Sequence, residues 1–174
     1  MSGPALRLRL RFPLEQLAHW AEQFGDVAAD LPIERIGDAV RTRGYLTKPD
    51  FLALCYWKTP RTQPKVKQNT PDEIQVATSL ALDTTDEHAK IGVLRLLHGV
   101  SWPTASVILH FCAREPYPIF DVNALWSVGI TKPIYSYELW DVYTAFTREL
   151  MRKSGLSMRD VDRALWAYAA ERGR

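Results

Sequence analysis

Residues 96–121 read "LLHGVSWPTASVILHFCAREPYPIFD", and their patterning decides the fold. Ahead of Gly99 lies an amphipathic run of Ile91, Val93, Leu94, Leu96 and Leu97. Behind it, Ala105, Val107, Ile108, Leu109, Phe111 and Cys112 predict a second helix. Gly99 can take a positive φ and lets another backbone or a phosphate come close, so a tight turn between two helices is expected. Pro103 suits the first turn of the second helix, where its missing N–H costs nothing. That helix start offers unpaired amides and the positive end of a dipole, which favour an anion such as phosphate. Asp121 stands just before another helical run, whose buried face is Ala124, Leu125 and Val128. Aspartate is a preferred N-cap. A carboxylate fixed at a helix start can also stabilise a developing cation or orient a water.

Working outward, Leu14, Leu17, Ala18, Ala21 and Phe24 recur at helical spacing after Pro13 and stop near Gly25. Further helices are expected at about 33–43, 48–57, 71–82, 86–97, 102–113, 121–128, 137–154 and 157–172, each bounded by Pro, Gly, Ser, Thr or Asp. The expected class is all-α. "ALRLRLRF", residues 5–12, differs: leucines alternate with Arg7, Arg9 and Arg11, a period of two that predicts a short extended arm. It is read as docked by its leucines with solvated arginines, the alternative being an arm that contacts DNA. The polar stretch Thr59–Asn69 interrupts the hydrophobic patterning.

The chain of 174 residues suits one domain over 1–174, with 47% apolar and 24% charged residues, so disorder is not expected. A net charge of +2 implies no polyanionic partner by itself; what matters is where the cations lie. Cys55 and Cys112 are far apart and form no metal-binding pair, and His88, His98 and His110 lack the spacing of a strong metal site. Without a secretory apolar core or a run long enough to span a bilayer, the expected setting is cytoplasmic with no membrane partner, and nucleoid-associated if the source is bacterial.

Two motifs together resemble the helix-hairpin-helix (HhH-GPD) superfamily of DNA glycosylases, in motif nearest to its endonuclease III, adenine glycosylase and 8-oxoguanine glycosylase-like branches. "LHGVSWPTASVILHF" is similar to that family's Leu-Pro-Gly-Val-Gly hairpin and the helix it opens, and "YPIFDVNA" to the segment ending in its catalytic aspartate. The hairpin position that carries lysine in some branches precedes the aspartate by the same 18 positions that separate Pro103 from Asp121. The resemblance is specific over about 90–128, diffuse over about 47–172, and silent on the first 45 residues. It implies a two-lobed all-α fold with the cleft between the lobes, a double-stranded DNA partner with an extruded modified base, and Asp121 as the catalytic residue of base-excision repair. Gly99, Val100, Ser101, Trp102 and Thr104 would contact DNA. A monovalent cation at the hairpin is compatible with it; an iron–sulfur cluster, which needs four cysteines, is not, so no cofactor is expected.

The sequence departs from the family at three positions. His98 and Ser101 stand where Pro and Gly are common, and Ser101 is expected to compensate by capping the following helix. Pro103 replaces the lysine of bifunctional members and has no amine to form a Schiff base. The implied activity is hydrolysis of the N-glycosidic bond without lyase chemistry. A catalytically inactive DNA-binding or interaction module is the alternative.

"CYWKTPRTQPKVKQN", residues 55–69, places Lys58, Arg61, Lys65 and Lys67 beside Tyr56 and Trp57 with no acid between them, which suits a DNA-facing loop. The resemblance implies that residues of this region fill the gap left by an extruded base, which makes Trp57 and Lys58 the candidates; the competing reading buries the aromatic pair on a helix face. Arg159 and Asp162 are expected to be a solvent-exposed helix pair, with Ser157 capping their helix.

Overall fold

The computed structural model describes residues 6–173, which contain helices and no strand. The chain divides into two compact units, Asp26–Pro116 and the pairing of Met1–Gly25 with Tyr117–Arg174.

The Asp26–Pro116 unit is built around a helix that the opening stretch predicts. Six helices compose the unit: α2 (Leu31–Arg43), α3 (Lys48–Lys58), α4 (Gln63–Val66), α5 (Pro71–Asp83), α6 (Glu87–Leu94) and α7 (Trp102–Cys112). Helix α1 (Leu17–Glu22), which precedes them, belongs to the other unit. Thr104 to Leu109, Phe111 and Cys112 are all buried, so α7 is apolar nearly all round, the signature of a central helix. Helices α2, α3 and α6 pack on it. Gly37 lets α2 approach closely, since a Cβ there would collide with the Phe111 carbonyl, to which Arg41 also donates. Burying Val107, Ile108, Leu109 and Phe111 contributes about 1.5–3 kcal/mol each, against about 1 kcal/mol for a typical cap.

Local chemistry sets the helix starts. Thr47 accepts from Asp50 N, Thr70 and Glu73 form a reciprocal capping box, and Asp86 accepts from Ala89 N. Two expectations are corrected. The stretch Thr59–Asn69 is largely helical: Pro60–Thr62 makes a 3-10 turn and Gln63–Val66 forms α4, with Pro60 and Pro64 in first turns and Val66 fully buried as the anchor. Helix α6 stops at Leu94 because residues 95–101 are needed to turn the chain.

The second unit contains α1 together with α8 (Val122–Ser127), α9 (Tyr137–Ser154) and α10 (Met158–Glu171). Ser136 and Ser157 cap α9 and α10 through their side chains, the latter as the sequence predicts. Helix α10 packs on α1, α8 and α9, and two aromatic clusters fill the spaces: Phe12, Trp20 and Tyr168, and Tyr117, Phe120, Trp140 and Tyr143. Over residues 6–11 the predicted alternation holds, with leucines half-buried and arginines exposed. Ala5 lies outside the described residues. The arm pairs with no strand; Arg9 N and Arg11 N donate to the carbonyls of Val128 and Ser127 at the end of α8, at 3.0 and 2.9 Å.

Candidate functional site

The turn between α6 and α7 is fastened to α4. Gly99 has φ of +76°, and a Cβ on it would lie 2.8 Å from Lys65 Cβ and 3.0 Å from Val66 N. The close approach that only glycine permits is therefore made by the α4 backbone. Asn69, 1% exposed, locks the contact: its Nδ2 donates to the carbonyls of Val66 and His98, both at 2.9 Å, and its Oδ1 accepts from His98 N at 2.8 Å. Residue 98 supplies an N–H to Asn69, which a proline there could not do.

The clamp places the exposed Lys65 and Lys67 on the segment packed against the half-buried Gly99, two residues before the exposed Ser101. Two basic and backbone features separated by about 30 residues thus share one surface. Ser101 occupies the N-cap position of α7 with extended backbone, but its side chain makes no capping bond, contrary to expectation. Pro103 sits in the first turn as predicted, and its carbonyl accepts from Ser106 Oγ at 2.7 Å. Val100 and Thr104 are buried, 6% and 1% exposed, so their side chains are removed from any ligand and only main-chain contact is open to them. The Trp102 ring is half-buried under the Arg95 guanidinium, 3.9 Å from its centroid, a cation–π pair that adds a further positive group to the turn. Two carbonyls of the turn accept hydrogen bonds within the unit, Leu97 O from Val100 N and His98 O from Asn69.

The aromatic pair divides. Trp57 is half-buried with its ring edge-on to Phe111 at 5.2 Å, which is the packing role weighed against base contact, while Tyr56 is 59% exposed. Lys58 ends α3 half-buried, and Arg61 is exposed on the 3-10 turn.

Asp121 lies in the other unit and is the N-cap of α8: its Oδ1 accepts from Asn123 N at 2.8 Å, and its carbonyl accepts from Leu125 N at 2.9 Å. The residue is half-buried. Phe120 before it is fully buried against Tyr135, Trp140 and Tyr143, which fixes the chain entering the cap. Tyr143 lies beneath this segment. Burial first, then the charges of Asp162 and Asp121, push its phenol well above the usual range. Asp162 and Arg159 do pair, as predicted, but their side chains are only 7% and 11% exposed, so the pair belongs to the interior of this unit rather than to its solvent face. Helical spacing alone could not reveal that burial. Among the described residues no group of His, Cys, Asp and Glu could hold a metal ion, and no helix is long and apolar enough to cross a membrane.

Asn69 and Arg95 escaped the sequence reading: the Asn69 amide serves His98, 29 residues on, and the pairing of Arg95 with Trp102 depends on how the turn between them folds. The one local signal is an uncharged amide at the end of a basic run.

Comparison of the chain with family models, curated proteins and solved structures returned no match.

Proposed function

We propose that the chain is a monofunctional DNA glycosylase-like hydrolase that binds double-stranded DNA and releases a modified base. The observation that carries this reading is the Asn69 clamp, which holds the Gly99 turn and the start of α7 beside Lys65 and Lys67; in this reading they act together on phosphate. Helix-start amides and lysines are complementary to a DNA backbone, and such contacts hold a duplex in register without reading its sequence.

Asp121 supplies the chemistry in this reading. The bond from Asn123 N fixes one carboxylate oxygen, so the charge is oriented before substrate arrives. As the base departs, positive charge grows on the deoxyribose, and a fixed carboxylate stabilises it or directs water to the anomeric carbon. Pro103 cannot form an imine with the sugar, so the abasic strand stays intact.

The test uses the purified chain on duplex oligonucleotides, each carrying one oxidised, alkylated, deaminated or mismatched base. Base release is expected to leave a strand that breaks only after alkali, borohydride to trap no protein–DNA adduct, and Asp121→Asn to abolish release. A trapped adduct would refute the monofunctional reading. Salt-sensitive binding with no release from any lesion would refute the hydrolase and support the inactive DNA-binding module instead.

A further inference from the structure

The face of the Asp26–Pro116 unit formed by α5 and α6 has chemistry opposite to that of the α4 ridge. Val76 and Leu80, one turn apart on α5, are 58% and 56% exposed, and Leu96, after α6, is 82% exposed. With Ala77 and Val93 they line a groove of about 470 Å³. Clustered apolar side chains of this size in contact with water mark an interaction surface.

Charge selects the occupant. Asp72 and Glu73 line the groove, and from Pro71 to Ala89 the chain carries five acids, Asp72, Glu73, Asp83, Asp86 and Glu87, with no lysine or arginine. Hydrogen bonds from Thr70, with His98 and Lys48 nearby, hold the Glu73 carboxyl below its usual range, so it is ionised at neutral pH. Lys48 itself is engaged by the Lys67 carbonyl. A polyanion would be repelled, and a second copy would bring the same acids to the same rim. A ligand with apolar knobs and flanking cations satisfies both features. A furrow between two packed helices accepts a third helix, whose side chains at i, i+3 or i+4, and i+7 enter it.

We propose that the α5–α6 groove docks a short amphipathic helix of a partner protein, with leucine-type side chains among Val76, Leu80 and Leu96 and lysine or arginine facing Asp72 and Glu73. This inference is independent of the nucleic-acid reading.

Two labelled synthetic peptides test it, both with leucines at helical spacing, one filled with lysine and the other with glutamate. Fluorescence anisotropy with the full chain should show saturable binding of the lysine peptide only. Leu80→Ser and Leu96→Ser should each weaken it about tenfold, as expected for truncating an apolar anchor. Asp72→Lys should narrow or reverse the preference for the lysine peptide. The side chains of Leu80, Leu96 and Asp72 are exposed, so circular dichroism should be unchanged. Equal binding of both peptides, no binding of the lysine peptide, or indifference to the leucine substitutions would overturn the proposal. So would a concentration-dependent dimer dissolved by Leu96→Ser, which assigns the face to a second copy, or loss of duplex binding in that variant, which assigns it to nucleic acid.

Discussion

Replacing Asn69 with alanine is expected to release the α6–α7 turn from α4. The side chain makes three hydrogen bonds, at 2.9, 2.9 and 2.8 Å, in a position only 1% exposed. Buried amide bonds contribute about 1 kcal/mol each net. Val66 O also accepts from Asn69 N at 3.3 Å, so that carbonyl is not orphaned by the change, whereas the His98 N–H and carbonyl lose the amide that served both. The expected loss is about 2–3 kcal/mol, which in a chain of this size lowers Tm by roughly 5–10 °C. Calorimetry and urea titration measure it. Asn69→Asp provides the control: it keeps an acceptor for His98 N but turns the donor to two carbonyls into an anion, so it should lose at least as much. Duplex affinity at moderate salt should fall with the alanine substitution as the lysines and the turn separate. A change below about 0.5 kcal/mol for Asn69→Ala would sink the clamp argument, since that is the range of ordinary surface substitutions.

Gly99→Ala combines left-handed strain with overlap against Lys65 and Val66, and should cost about 2–4 kcal/mol in urea unfolding. Asp121→Asn keeps an equally good N-cap, so stability should stay within about 0.5 kcal/mol while base release falls about a hundredfold or more; Asp121→Ala should add a stability loss of about 1 kcal/mol. Burial pushes both Cys55 and Cys112 thiols up to about 12. The unfolded chain ionises first, so their contribution is complete below about pH 8.5 and is lost progressively as pH rises toward 12, by about 2 kcal/mol per thiol at pH 10. Urea midpoints measured from pH 8 to 10 should therefore fall, and neither thiol should react with iodoacetamide at pH 8 before unfolding.

The helices were legible because their signals are local. Periodicity and caps such as Thr70–Glu73, Asp86 and Ser157 lie within a few residues of what they organise. The alternating arm was legible for the same reason. What lay beyond the sequence were pairings across the chain. Nothing near Asn69 announces that its amide serves residue 98, and nothing in "PRTQPKV" distinguishes a polar loop from a short helix wedged under Gly99. The buried state of Arg159 and Asp162 likewise depends on which face α10 turns inward. For the candidate residues, the sequence could name side chains but not say where they point. Trp57 was named and proves to pack on Phe111; Tyr56 beside it points to water.

The arm's docking bears on Asp121. Helix α8 has 6 residues, too short to hold its shape in isolation, so whatever holds its two ends also sets the Asp121 carboxylate. Asp121 closes the N-terminal end. The C-terminal end is closed by the arm: Arg9 N and Arg11 N take the carbonyls of Val128 and Ser127, and Arg11 Nε takes that of Trp126 at 2.6 Å while its guanidinium lies 4.3 Å from the Trp126 ring centroid. Tyr168 OH then donates to Arg11 O at 3.1 Å, and Ser127 Oγ donates to Leu165 O at 2.5 Å, tying the assembly to α10. A leucine–arginine alternation that reads as a peripheral extension is thus the C-terminal cap of the helix whose first turn carries the proposed carboxylate. Arg11 is consequently committed to that helix and is a poor candidate for phosphate contact, whereas the exposed side chains of Arg7 and Arg9 stay outside this cap.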